Sequence, residues 1–443
     1  MELLLHFAHA FGQTYTLPIP LWLFLFGAAA SIVVSFVIIS WFVDAKPRKA
    51  VSYSVAAPIG WLMPLAKVLG VAGFWLMIFS GLLSVGSFSL IIISFWIILL
   101  IGLTYVVALF GDVWQYINPF RTMFEGLERV LSPQKKPLLR YPMRWSYYPA
   151  LVCYVGLIWL ELLSGGLGII PDALAYILLA YGAVTIVAAW AFGKDIWFRY
   201  GEFFSVFYAV VARVSSVVIE HGNVYLRRPF AGISSGEAVR FSVLLIVLFM
   251  LASTGYDTLR ETRLFRSIAE AVLGSVLQVN GIYELTCLGV LTTGLLALYL
   301  GSVAVMRRIT PTKYSTFELA KRFALTLLPI AVGYHMAHYF PLLFTNGPLV
   351  LNYLGDPFQF GWNIAGLADA DFSPGPFDAA KVWYAQVGLI VGGHIAALYA
   401  SHRTAAQLFR GRRVVVRSQY AMTVLMVVYT VASLWILTLA LAG

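Results

Sequence analysis

Charge is what this sequence has least of. Only 11% of its 443 residues are Asp, Glu, Lys or Arg, against about a quarter in soluble domains. Sixty per cent are hydrophobic, and the mean hydropathy is +0.84. This excludes an ordinary soluble protein and predicts a chain that crosses a lipid bilayer many times. Cysteine is almost missing. Cys153 and Cys287 fall in different apolar stretches, so there is no disulfide framework, and both read as small buried hydrophobes. Acidic residues are outnumbered, 20 against 30 basic ones, for a net charge of +10. The surplus sits in short loops between apolar runs, as orientation signals do, so nucleic acid is not an expected partner. The opening MELLLHFAHAFGQTYTLPIP has no basic n-region and no small-residue cleavage site, unlike a cleaved signal peptide. Long low-complexity linkers and short repeats are also missing, so a single membrane-embedded domain over 1–443 is expected. There is no G-x-S-x-G of a nucleophile elbow, no P-loop and no HExxH, and no CxxCH for c-type haem.

What is present is an all-α pattern. A span needs roughly 20 apolar residues, and about ten stretches qualify: 21–43, 62–84, 88–110, 147–164, 172–192, 240–256, 285–306, 321–344, 383–402 and 419–441. Basic residues cluster after the first, third, fifth and ninth and before the eighth, which predicts a cytoplasmic side for those loops. The loop 345–382 carries Asp356, Asp369, Asp371 and Asp378 against Lys381 and is expected outside. The chain therefore reads as a multi-pass plasma-membrane protein with both termini on the extracytoplasmic side. The loop 257–284, with three arginines, fits this rule less well. Counting 201–219 as a span would invert every later loop, so it reads as an interfacial or re-entrant helix. The stretch 112–130 reads as interfacial too, with Pro119 suited to a first helical turn.

An ionisable residue inside a span is costly and marks function by default. LLPIAVGYHMAHYFPLLF, within the eighth span, holds two of the seven histidines, His335 and His338. At i and i+3 they share a helix face. Pro329 and Gly333 precede them, and Pro329 predicts a kink. His394 lies in GLIVGGHIAALY of the ninth span, at an overlapping depth by the rise of about 1.5 Å per residue, so three imidazoles could meet. Gly388-x-x-x-Gly392 would let a neighbouring backbone, or a flat cofactor, approach. Asp257, in STGYDTLRET at the outer end of the sixth span, is placed as a fourth member. His6 and His9 lie where they could cap such a site. Glu161 and Glu284 fall near outer ends. His402 reads as an interhelical hydrogen bond and His221 as solvated.

Three chemistries follow. Imidazoles with a carboxylate can hold a divalent ion such as zinc, copper or iron, which can activate water. On that reading His335, His338 and His394 are ligands and Asp257 a fourth ligand or a base. One histidine from each of two spans could instead hold haem b, as in a haem- or quinone-linked redox subunit. Polar residues on interrupted spans also mark transporters. In each case the partners are the lipid bilayer and a lipophilic small molecule, and the sequence names no partner subunit.

Eight segments carry a resemblance: YTLPIPLWLFLFGAAASIVVSF (15–36), NPFRTMFE (118–125), GEFFSVF (201–207), LAKRFALTLLPIAVGYHMAHYFPLLF (319–344), DPFQFGWN (356–363), VWYAQ (382–386), GGHIAALYASH (392–402) and SQYAMTVLMVVYTVASLWIL (418–437). In this order, over most of the chain, they resemble a family of bacterial multi-spanning membrane proteins known as fenitrothion hydrolase-like. The stretch 257–284 departs most from that pattern. The resemblance implies hydrolysis of an organophosphate triester with release of a nitrophenol, and a metal-activated hydroxide would suit the histidine cluster.

Overall fold

The computed structural model describes residues 20–43, 54–86, 88–130, 137–234, 236–274, 281–372 and 379–441. These residues form an all-α bundle with almost no strand. Nine helices among them are long and apolar enough to cross a membrane: α1 Leu21–Phe42, α2 Gly60–Leu83, α3 Leu90–Phe110, α5 Pro171–Phe192, α6 Phe241–Arg260, α7 Gly281–Ile309, α8 Thr316–Gly355, α9 Ala380–Leu408 and α10 Arg412–Leu439. A shorter apolar helix, α4 Tyr148–Leu163, fills the remaining predicted place. The described residues fall into two compact units, one of 54–227 and 342–372, the other of 20–43, 228–341 and 379–441.

The first unit holds α2 to α5 and a small sheet of three strands, β1 Ser54–Pro58, β2 Val217–Glu220 and β3 Asn223–Leu226, in the order β1-β3-β2, all antiparallel. This corrects the reading of 201–219 as one helix. The helix runs only over Phe203–Val211, and 217–219 belong to β2. The β-branched run Val217, Val218, Ile219 suits a strand better than a helix. His221 and Gly222, both at positive φ, form the two-residue turn that joins β2 to β3. Glu202 caps the 203–211 helix by accepting from the Phe204 and Ser205 backbone N–H groups at 2.9 and 2.8 Å. It also accepts from Asn118 Nδ2 at 3.2 Å and from the Tyr181 hydroxyl. A fully buried carboxylate is thus surrounded by donors, as burial requires. Pro119 opens the helix Pro119–Val130 at its first residue, as expected.

The second unit packs α1, α6, α7, α9, α10 and the part of α8 up to Pro341. Helix α6 is its centre: nearly every side chain from Ser242 to Thr258 is buried. Ala28, Tyr334, Ala337, Trp383, Ile390, Leu434 and Leu437 form a core shared by α1, α8, α9 and α10. Helix α8 is not continuous. Thr316–Phe323 gives way to a tighter 3₁₀ turn over Ala324–Leu327, and an α-helix restarts at Leu328. Pro329, where a kink is predicted, sits in the first turn of the new segment just after this interruption, where its missing N–H costs nothing. Pro341 lies farther along the same segment. It cannot donate to the carbonyl of Ala337 four residues back. Gln386 of α9 supplies the donor instead, with Nε2 3.0 Å from Ala337 O.

Candidate functional site

The site is built where α6 ends against α8. Asp257 and Thr258 are consecutive on α6. Tyr334 and His338, four apart, share one face of α8. His338 Nε2 is 2.7 Å from Asp257 Oδ2, and its Nδ1 is 3.1 Å from Thr258 Oγ1. The Tyr334 hydroxyl donates to Thr258 Oγ1 at 3.2 Å, and Tyr339 reaches Asp257 Oδ2 at 3.4 Å. Asp257 and His338 are 5% and 1% exposed.

Proton bookkeeping gives this arrangement its chemistry. The Thr258 hydroxyl has one proton and two acceptor positions, and the Thr254 carbonyl lies 3.0 Å away to receive that proton. When Thr258 donates to Thr254, it accepts from Tyr334 and from an Nδ1–H of His338. If Asp257 is ionised, both imidazole nitrogens are then protonated and Nε2–H faces its carboxylate. When the Thr258 proton turns to Nδ1, the imidazole is neutral and still donates to Asp257 through Nε2. A rotation of one hydroxyl therefore accommodates both protonation states without moving a helix.

The other two histidines are placed differently. The His335 ring lies edge-on to Tyr339, centroids 4.8 Å apart, and its buried Nε2 has no hydrogen-bond partner. On α9, His394 Nδ1 donates to the Ile390 carbonyl at 2.8 Å. That bond fixes the tautomer and leaves Nε2 with a lone pair, buried and also without a partner. The His394 ring is 6.0 Å from that of Tyr429 on α10.

Among the described residues, no group of three His, Cys, Asp or Glu side chains is arranged to hold a metal ion. His335, His338, His394 and Asp257 are therefore not gathered into one group of potential ligands there. Both nitrogens of His338 are engaged, one by Asp257 and the other by Thr258. Of these four residues, His335 and His394 present an unengaged nitrogen that suits a metal or haem iron.

The glycines also act otherwise than expected. Gly388 and Gly392 meet nothing close. The close approach is made by Gly333 of α8 and Gly393 of α9. A Cβ on Gly333 would come within 2.8 Å of Leu389 O, and one on Gly393 within 2.6 Å of Pro329 O. The space that Gly333 and Gly393 give is filled by backbone, while Gly388 and Gly392 face open space.

Glu284 is buried, and Arg260 Nη2 lies 3.3 Å from its Oε1. His402 makes the expected interhelical hydrogen bond, with Nδ1 3.1 Å from Gln419 Nε2. His221 is exposed in its turn. Cys153 and Cys287 are free thiols and only half-buried. His6 and His9 lie outside the described residues. Sequence reasoning missed Thr258, Tyr334, Tyr339 and Gln386. Tyr334 had a usable signal, its i, i+4 spacing to His338, and Gln386 had none. No family profile, no curated protein and no solved structure matches this chain.

Proposed function

We propose that this membrane protein couples proton movement to the transport of a lipophilic solute, with Asp257 and His338 as the proton-binding pair. The observation that carries the reading is the 2.7 Å carboxylate–imidazole contact buried between two apolar helices. Intramembrane ionisable pairs of this kind serve as proton relays. Thr258 and Tyr334 extend the pair into a chain of exchangeable protons. The interruption of α8 just before these residues is the helix break that transport sites use. The burial of His338 and Thr258 favours this over direct attack on a substrate, since neither side chain offers a surface to one. The reading includes a plasma-membrane location with both termini outside, supported by the basic loops.

The test is solute accumulation in proteoliposomes under an imposed pH gradient, with a panel of lipophilic amines and phosphate esters. The expected result is gradient-driven uptake in the wild type and its loss in Asp257→Asn and His338→Gln. Uptake that survives both substitutions would overturn the proposal.

A second reading rests on the unengaged Nε2 atoms of His335 and His394. These two residues would hold a divalent zinc, copper or iron ion, or haem b. A metal ion there would supply an activated water for the triester hydrolysis implied by the fenitrothion hydrolase-like resemblance, and haem would supply electron transfer. Elemental analysis and a visible spectrum of the purified protein separate these outcomes. Stoichiometric metal or a Soret band, lost in His394→Ala, would favour this reading over transport.

A further inference from the structure

Where α1 ends and α10 begins there is a pocket of about 490 Å³ lined by Ser40, Trp41, Arg412, Arg413, Val416, Arg417 and Tyr420. Three of its seven lining residues are arginines and none is a carboxylate. Arg412 is committed to structure. Its guanidinium donates to the Ser40 carbonyl at 2.8 Å and the Trp41 carbonyl at 2.7 Å, which ties α10 to the end of α1. Arg413 and Arg417 are exposed. Ser40 is 5% exposed, and its Oγ has no hydrogen-bond partner. A buried unpaired hydroxyl in a pocket walled by cations calls for an acceptor-rich anion.

The surroundings identify the kind of anion. Trp41 and Tyr420, exposed by 72% and 49%, flank the pocket as aromatic residues do at the headgroup level of a bilayer. Away from the pocket, the exposed surface of both helices is apolar: Val34, Val37 and Ile38 on α1, Val424 and Val428 on α10. A ligand with an anionic head and hydrocarbon chains matches both parts. We propose that the pocket binds the phosphate of an anionic phospholipid. Arg413 and Arg417 face the phosphate oxygens, the Ser40 hydroxyl donates to one of them, and the acyl chains lie along α1 and α10.

The test is native mass spectrometry of the full chain released from detergent, titrated with phosphatidylglycerol and, separately, with phosphatidylcholine. The wild type is expected to retain the anionic lipid at least about tenfold more strongly. The double variant Arg413→Gln/Arg417→Gln is expected to lose that preference, since basic residues near a headgroup attract anionic lipid. Arg140→Gln/Arg144→Gln removes the same charge from other exposed positions and is expected to leave it intact. Equal losses in both double variants would reduce the effect to net charge and overturn the proposal. Inorganic phosphate is titrated in parallel. Binding of phosphate that needs Arg413 and Arg417, with no preference between the two lipids, would make the ligand a free anion and overturn the lipid assignment. Ser40→Ala, which leaves the charge unchanged, is expected to weaken phosphatidylglycerol retention severalfold.

Discussion

At the scale of single residues, the histidines divide by what each nitrogen touches. Nδ1 of His394 is spent on Ile390 O and Nε2 is bare, whereas both nitrogens of His338 have partners. With only seven histidines in the chain, ¹⁵N-histidine NMR can resolve this. His394 is expected to show a protonated Nδ1 and an unprotonated Nε2, and adding a metal ion should move the Nε2 signal only if the second functional reading holds. For the pair itself, Asp257→Ala leaves His338 buried without its carboxylate and is expected to cost about 3–5 kcal/mol in equilibrium unfolding in detergent. Asp257→Asn, which keeps an oxygen at that position, should cost less. The chemistry of these residues was legible in the sequence, because ionisable groups are rare in spans and their depth follows from the helical rise. Which of them meet was not. Rotation of each helix about its own axis decides that, and the small residues at the close approach, Gly333 and Gly393, look no different in sequence from Gly388 and Gly392, which face open space.

At the scale of elements, α8 and α9 are held by two devices. One is the glycine contact. Gly393→Val is expected to force the helices apart and lower the unfolding midpoint, while Gly392→Val, in open space, should not. The other is the repair of Pro341 by Gln386. Gln386→Leu strands the Ala337 carbonyl and should cost about 1–3 kcal/mol. In a Pro341→Ala background the helix regains its own donor, so the same substitution should cost much less. A double-mutant cycle measures the difference. The ten apolar segments were legible because a span is a one-dimensional signal of length and hydropathy. The β2–β3 hairpin was not, since an apolar run near a membrane reads first as helix, and the two residues of its turn, His221 and Gly222, are too short a signal to override that. Several segments that carry the family resemblance prove to have local structural roles. Asn118 of NPFRTMFE meets Glu202 of GEFFSVF, and Asp356 of DPFQFGWN accepts from the backbone N–H groups of Phe360, Gly361 and Trp362. A motif that builds a cap or a turn says little about chemistry.

At the scale of the whole molecule, a chain poor in charge buries a carboxylate–imidazole contact near the end of α6, and that contrast is what makes proton handling the leading reading. The basic loops predict that a tag fused at either end is reached from outside intact cells, which protease protection can check. Proton movement itself is the decisive quantity. Proteoliposomes loaded with a pH-sensitive dye, given a potassium diffusion potential, would report proton entry as internal acidification, with and without candidate solutes. The proposal predicts solute-dependent acidification in the wild type, abolished in both Asp257→Asn and His338→Gln while folding and insertion persist. Acidification at the wild-type rate in either variant would contradict it.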